Sequence, residues 1–239
     1  VSALSIKDLQ IPFSKKGLLP SFSFELNAPA MVFIAGANGI GKSTFLKQIS
    51  GSLPSRGSIC IDEKTVASYS LKERALRIGF LEQQHPIYFP LTVKDLVVMG
   101  RYAHKASLES YSTEDYAQVA LVLEELGVAY LYDKNFLNLS GGEQQLCLLA
   151  QLALQNPDII LLDEPTQSLD LHNKERIFDW MEKQVNEKGK IVLCVTHDLH
   201  WITKKKGYLL PMSNSTIELL PLSEALVLET IDKLKRQAL

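Results

Sequence analysis

The stretch "MVFIAGANGIGKSTFLKQI", Met31–Ile49, constrains this 239-residue chain more than any other. Met31–Ala35 is a compact apolar run of the kind that forms a buried strand. It passes at once into "GANGIGKS", Gly36–Ser43, and then into helical spacing at Phe45, Leu46 and Ile49. Strand, glycine-rich loop and helix in that order fit the phosphate-loop pattern G-x-x-x-x-G-K-[ST]. Glycines let the backbone wrap phosphates with N–H groups pointing inward, and the helix that follows adds its positive end. Gly36, Ala37, Asn38, Gly39, Ile40, Gly41, Lys42, Ser43 and Thr44 are therefore the expected nucleotide-binding set. Within it Lys42 would reach the β- and γ-phosphates, and the Ser43 hydroxyl would ligand Mg²⁺. A glycine-rich turn with no ligand could use the same residues, but the apolar strand in front is the context a phosphate loop demands.

The rest of the chain reads as more of the same architecture. Ser2–Leu9 and Ser21–Leu26 alternate like antiparallel strands. Ser58–Ile61 and Ile78–Leu81 are further strands, with a charged helix at Leu71–Ala75 between them. Ile159–Leu162 and Ile191–Val195 are apolar throughout or nearly so, and between them Ile177, Trp180, Met181 and Val185 fall at helical spacing, ended by Gly189. Apolar strands alternating with helices predict a mostly parallel sheet covered on both faces. From Thr92 the character turns helical: Val93, Leu96 and Val97 share a face. Ser112–Gly127 forms a second helix with a Ser112/Asp115 cap and Val119, Val122, Leu123 and Leu126 buried. Leu222–Leu239 looks like an amphipathic terminal helix. The expected class is α/β: a P-loop NTPase core, an N-terminal antiparallel β-subdomain and an inserted α-helical subdomain. Residues 1–91 and 140–225 would make the catalytic core, 92–139 the helical insertion and 226–239 the last helix.

Composition narrows the function classes. The chain is 46% apolar and 22% charged with a net charge of −2, an ordinary globular balance with no general basic surface for nucleic acid. Lys204-Lys205-Lys206 reads as a solvated edge. No apolar run approaches the ~18 residues of a membrane span, and the first residues lack the charged-then-apolar layout of a signal peptide. A soluble, cytoplasmic chain that can still dock on something in a membrane is the expectation. Cys60, Cys147 and Cys194 are far apart in apolar surroundings, which suits core packing better than a disulfide framework or a zinc site.

Other residues supply chemistry around the phosphate loop. "IILLDEP" is a buried strand ending in two carboxylates. Side chains alternate across a strand, so Asp163 and Glu164 are expected to play different roles. Asp163 would hold the metal through water, and Glu164 is the candidate general base that orients water on the γ-phosphate. His197, in "VTHD", follows the next apolar strand at the carboxyl end of the sheet, where an imidazole could hydrogen-bond to the phosphate and the water. Gln83, in "GFLEQQ", offers an amide oxygen that can ligand Mg²⁺ without a large charge penalty, with Gln84 an immediate rival. "NLSGGEQQ", Asn138–Gln145, makes a capping box in which Ser140 caps a helix and Glu143 reaches back. Yet Gly141 and Gly142 just inside that helix cost stability relative to better helix formers.

"GANGIGKST", "FLEQ", "LSGGE", "IILLDEPTQSLD" and "VTHD" occur in the order and spacing of ATP-binding cassette (ABC) ATPase subunits, a resemblance that covers roughly residues 1 to 225. It implies ATP and Mg²⁺ as cofactors, and a head-to-tail homodimer in which LSGGE closes over the ATP of the other subunit. Ser140, Gly141 and Gly142 would then touch the γ-phosphate in trans, with Glu143 in the same segment, and Asp170 would cross the interface to communicate between the sites. Phe13 lies where the family usually has an aromatic that stacks on adenine, with Phe22 and Phe24 the other aromatics near it. "QQHPIYFPLTVKDLVVMGRY" resembles the region of importers for vitamin B12, iron–siderophore, haem and zinc. There it begins the helical subdomain that receives a coupling helix of a separate permease. The resemblance thus implies a peripheral subunit on the cytoplasmic face of the membrane, served indirectly by a substrate-binding protein. The other expectation is a soluble non-transport ABC ATPase in repair, translation or cofactor assembly. Two arginines usual in the family after LSGGE are replaced by Leu146 and Gln151, which puts the anchoring of that helix in question. "ITKKKGYLLP" stands where the family commonly continues after the histidine, so interface contacts there do not carry over.

Overall fold

The computed structural model describes residues 3–13, 17–83, 88–106, 108–167 and 169–237, with all side chains but those of Phe13 and Gln237. The chain opens on β1 (Ala3–Gln10), a short hairpin of β2 (Pro12–Phe13) and β3 (Gly17–Leu18), and β4 (Phe22–Asn27). β5 (Ala30–Gly36) leads through the glycine loop into α1 (Lys42–Ile49). β6 (Arg56–Ile61), β7 (Lys64–Thr65), α2 (Leu71–Arg77) and β8 (Ile78–Leu81) follow. The helical stretch holds α3 (Val93–Val98), a 3₁₀ turn at Met99–His104, α4 (Thr113–Glu125) and α5 (Gly141–Gln155). The chain then alternates through β9 (Ile159–Asp163), α6 (Leu171–Asn186), β10 (Ile191–Val195), α7 (Leu199–Ile202), β11 (Tyr208–Met212), β12 (Leu220–Pro221) and α8 (Glu224–Gln237).

Two sheets carry the architecture. A four-stranded antiparallel sheet runs β4-β1-β6-β7, and a six-stranded sheet runs β12-β11-β5-β10-β9-β8. All pairings in the larger sheet are parallel except that of β12. Its strands are buried on both faces, which is why β5, β9 and β10 read as unbroken apolar runs rather than alternating ones. β10 lies between β5 and β9, so the three loops that follow these strands open side by side at one edge of the sheet.

The expected helices form where their caps predict. Ser112 caps α4 in a reciprocal box with Asp115, and Ser140 does the same for α5 with Glu143. Of the α4 residues expected inside, Val119 and Leu123 are fully buried, as is Leu126 at its end, while Val122 is only partly so. The charged helix α2 runs two residues beyond Ala75, to Arg77. α5 packs against α3, α4 and the Met99–His104 turn on one side and against β8 on the other. Cys147 and Cys194 are buried free thiols, and burial pushes the Cys147 thiol up to about 12. Among the described residues no helix is long and apolar enough to cross a membrane.

Candidate active site

The phosphate loop is the floor of a cleft of about 460 Å³ at the carboxyl end of β5. Asn38, Gly39, Gly41, Lys42, Ser43 and Thr44 line it from the loop and helix α1, while Gln83, Glu164, Gln167 and His197 line it from the neighbouring loops. Gly36, Ala37 and Ile40 stand behind this surface. Ile40 is buried in the core and donates its N–H to the Ala37 carbonyl, so its side chain faces away from any ligand. Gly41 caps α1 with φ +108°, a left-handed backbone, and a Cβ there would lie 2.7 Å from Ile11. Both the turn and the close packing therefore require glycine.

Lys42 is buried, and its ammonium donates to the carbonyls of Gly36 at 2.8 Å and Ala37 at 3.1 Å. Burial lowers its pKa, while the nearby Glu164 and Asp163 carboxylates work the other way. Asp163 is 2% exposed, and its Oδ1 has no hydrogen-bond partner among the described residues. Burial raises its pKa, the Ser43 hydroxyl opposes that shift, and Glu164 adds to it. A buried carboxylate oxygen without a donor, beside a serine hydroxyl and the phosphate loop, is a donor set that fits a hard divalent cation.

Glu164 leaves the strand in a left-handed conformation, φ +52°, unusual for a residue with a side chain. Its N–H is held by the Val195 carbonyl at 3.0 Å, which ties the end of β9 to the end of β10. This kink is how two adjacent carboxylates serve one cleft: Asp163 ends the strand beneath it, and Glu164 lines it. Glu164 Oε1 lies 3.1 Å from His197 Nε2, and Glu164 Oε2 accepts from Gln83 Nε2 at 3.2 Å. Lys42, Asp163, Glu164, His197 and Gln83 are thus brought together from four separate segments.

His197 sits on a turn held by residues that the motifs did not single out. The carboxylate of Asp198 accepts from Thr166 Oγ1 at 2.7 Å and from Lys174 Nζ at 2.8 Å, and the Asp198 N–H is donated to Thr196 Oγ1. Trp201, on α7, stacks on Phe178 of α6 and closes the turn from behind. Gln167 was also missed; its Oε1 accepts from Gln83 Nε2 at 2.9 Å. Thr166, Gln167 and Asp198 adjoin motif residues in sequence, but what they pair with follows only from the order of the strands.

Ser140, Gly141, Gly142, Glu143 and Asp170 do not line this cleft. Ser140 and Glu143 are occupied with each other: the Ser140 hydroxyl and N–H both donate to Glu143 Oε2, at 2.7 and 2.9 Å. Tyr130 donates to the other carboxylate oxygen at 3.1 Å. A Cβ on Gly141 would meet nothing among the described residues within 4 Å, whereas one on Gly142 would lie 2.9 Å from the Asn173 amide nitrogen. Asp170 caps α6, accepting from the N–H and the side-chain amide of Asn173. The Phe13 side chain and Gln84 lie outside the described residues. Phe22 and Phe24 pack on each other and on Phe45 of α1, in the core.

A phosphate loop, an acidic pair one strand removed and a histidine just after the strand between them define a P-loop ATPase. Residues 19–167 match the ABC transporter family, and the chain belongs to it. Among its relatives, the ferric enterobactin transport ATP-binding protein FepC of Escherichia coli (strain K12) is 30% identical over 218 residues, 91% of this chain and 80% of that one. The hemin import ATP-binding protein HmuV of Hahella chejuensis is 31% identical over 211 residues, 85% of this chain and 80% of that one. A solved structure described as an ABC transporter of metal-chelate type, facing inward, has a TM-score of 0.80 at 27% identity, covering 92% of this chain and 84% of that one. The chain binds ATP, and its reaction is ATP hydrolysis coupled to transport.

Proposed function

We propose that this chain is the ATP-hydrolysing subunit of an importer for a metal chelate or a vitamin B12-like solute, acting as a head-to-tail dimer against a separate permease. The observation that carries the chemistry is the Glu164 carboxylate, held between His197 and Gln83 above the phosphate loop. Glu164 takes the proton of the attacking water, and His197 keeps that carboxylate in place. Lys42 and the loop N–H groups hold the β- and γ-phosphates in line. Ser43, Asp163 and Gln83 are the residues that would hold Mg²⁺, which when bound neutralises charge developing on the phosphates.

The LSGGE segment, the signature of the family, supports a dimer. Ser140 and Gly141 lie off the chain's own nucleotide cleft, and nothing among the described residues occupies the space a Cβ on Gly141 would fill. A second copy would bring that face over the phosphates, leaving each site incomplete without its partner. Asp170, at the cap of α6 beside Gly142, belongs to the same interface.

A second cleft, of about 290 Å³, supports a permease partner. It is lined by Phe80, Leu81, Met99, Leu148 and Leu152 among others, including the exposed Tyr102. Exposed apolar side chains around an apolar groove mark a protein interface. The groove lies between β8, the edge strand that leads to Gln83, and a wall made by α5 and the Met99–His104 turn of the 92–139 insertion. A permease helix seated there would sense closure and hold the subunit at the cytoplasmic face of the membrane. The named transport relatives weigh in the same direction, against a soluble ATPase of repair or translation.

Glu164→Gln should bind ATP, accumulate as a dimer on size exclusion and lose turnover; normal hydrolysis by that variant would remove Glu164 from the role of base. Co-expression with the genes beside its own should recover a multi-span permease. Recovery of soluble partners alone would rule out the importer.

A further inference from the structure

We propose that Gln167 is a positioning residue for Gln83, fixing which end of its amide faces the metal. The inference rests on the reading of Gln83 as an oxygen ligand. A carboxylate can only accept, so the atom of Gln83 that faces Glu164 Oε2 at 3.2 Å must be the amide nitrogen. The same nitrogen lies 2.9 Å from Gln167 Oε1, so both of its protons are spoken for, one by each acceptor. The charge of Glu164 therefore orders the whole row: carboxylate, Gln83 NH₂, Gln167 oxygen. Gln83 is left with its carbonyl oxygen as the free group, the end that can bind a cation and not the end that would donate to a phosphate.

The backbone explains why Gln167 is in reach. Its N–H is donated to the Glu164 carbonyl at 3.1 Å, closing a four-residue turn with Pro165 at the second position, where proline is favoured. The turn folds Gln167 back beside Glu164. Parallel pairing of Leu81 with Leu162 brings Gln83, two residues past β8, to the same level. Without the Gln167 oxygen, one Gln83 proton would have no acceptor among the described residues, and the amide could rotate about its last bond to turn its nitrogen toward the metal site.

The test is equilibrium binding of a non-hydrolysable ATP analogue to the purified subunit, measured by calorimetry with Mg²⁺ and with chelator. The ratio of the two affinities reports the metal's contribution and needs no turnover. Gln167→Leu, which keeps the bulk and loses the acceptor, should reduce that ratio roughly two- to ten-fold, the worth of one hydrogen bond. Gln167→Glu, which can still accept, should restore it. In a Gln83→Ala background, Gln167→Leu should have no further effect. If Gln83→Ala lowers the ratio but Gln167→Leu does not, or if Gln167→Leu acts equally in both backgrounds, the positioning role is wrong while the Gln83 reading stands. If Gln83→Ala leaves the ratio unchanged, both fall. Gln167 is exposed, so these substitutions leave the fold intact.

Discussion

Replacing Gly141 by alanine adds one methyl group to the first helical residue of α5, where a Cβ would meet nothing among the described residues within 4 Å. In the isolated chain the change relieves the conformational freedom of glycine. In a helix interior that is worth about 0.5–1 kcal/mol, and the lower end applies in the first turn. For a chain of this size the unfolding midpoint should rise by about 1–2 °C. Gly142→Ala should behave differently. Its Cβ would press on the Asn173 amide, which is tied to Asp170 at 2.9 Å, so the gain in helix propensity is offset by a disturbed hydrogen bond. The nucleotide-free midpoints should therefore fall in the order Gly141→Ala, wild type, Gly142→Ala. Hydrolysis should move against that order. If the backbone at Gly141 must touch a partner's γ-phosphate, a methyl group there displaces it by about an ångström, a loss on the order of 10²-fold. Differential scanning calorimetry without nucleotide and a phosphate-release assay give both numbers. A Gly141→Ala protein that hydrolyses ATP at the wild-type rate would refute the reasoning, because nothing would then need that bare backbone.

Asp163→Asn should be inactive yet more heat-stable at pH 7. Burial raises the Asp163 pKa, so between the ordinary carboxylate value and the raised one the folded state binds more protons than the unfolded, and stability falls as pH rises; the advantage of asparagine, read by thermal melts, should shrink toward pH 4. Burial lowers the Lys190 amine to about 8, with Lys188 adding to the shift. Between pH 8 and the usual lysine value near 10.4 the unfolded chain binds more protons, so the stability difference between Lys190→Met and wild type should move in favour of wild type as pH rises from 7 to 10. Lys174→Met frees Asp198 and should lower turnover by about ten-fold through His197 while leaving nucleotide affinity close to wild type in a binding titration. Leu146→Arg restores the residue usual in the family at a position 1% exposed, and burying the guanidinium should cost at least about 3 kcal/mol in denaturant melts.

Much of the core was legible because its signals are local. β8 and β10 begin and end where their apolar runs do, and the Ser112 and Ser140 caps fix the starts of two helices. The site residues could be named for the same reason, since each follows directly on a strand. What could not be read is how they meet. Strand alternation predicted separate directions for Asp163 and Glu164, and the positive φ at Glu164 that lets both serve one cleft has no sequence signal in a residue other than glycine or asparagine. Gln167 and Asp198 find partners 84 and 32 residues away, contacts created by the order of strands in the sheet. The arginines missing from α5 were a puzzle in sequence and have a plain answer in the fold: Leu146 fills the core, and Gln151 donates to the Leu96 carbonyl at 3.0 Å.

Those two substitutions bear on how closure of the proposed dimer would reach a permease. α5 begins with the signature segment and, further along, lines the apolar cleft with Leu148, Gln151, Leu152 and Gln155. Its 15 residues span about 22 Å, and beyond Gly142 it contains no glycine or proline at which to kink. Its far end is fastened by neutral amides: Gln151 to α3, and Gln155 to the carbonyls of Ala75 at 2.7 Å and Ile78 at 3.0 Å. These bonds depend little on salt, unlike ion pairs made by exposed arginines. In the proposed dimer, a displacement of Ser140 toward a partner's nucleotide would therefore displace one wall of the proposed docking cleft, because a short unbroken helix moves as a rod. Gln83 reports to the opposite wall through β8, whose Phe80 and Leu81 line the same cleft. In the proposed dimer, metal binding at Gln83 of one subunit and closure over the nucleotide of the other would thus act on a single groove from its two sides.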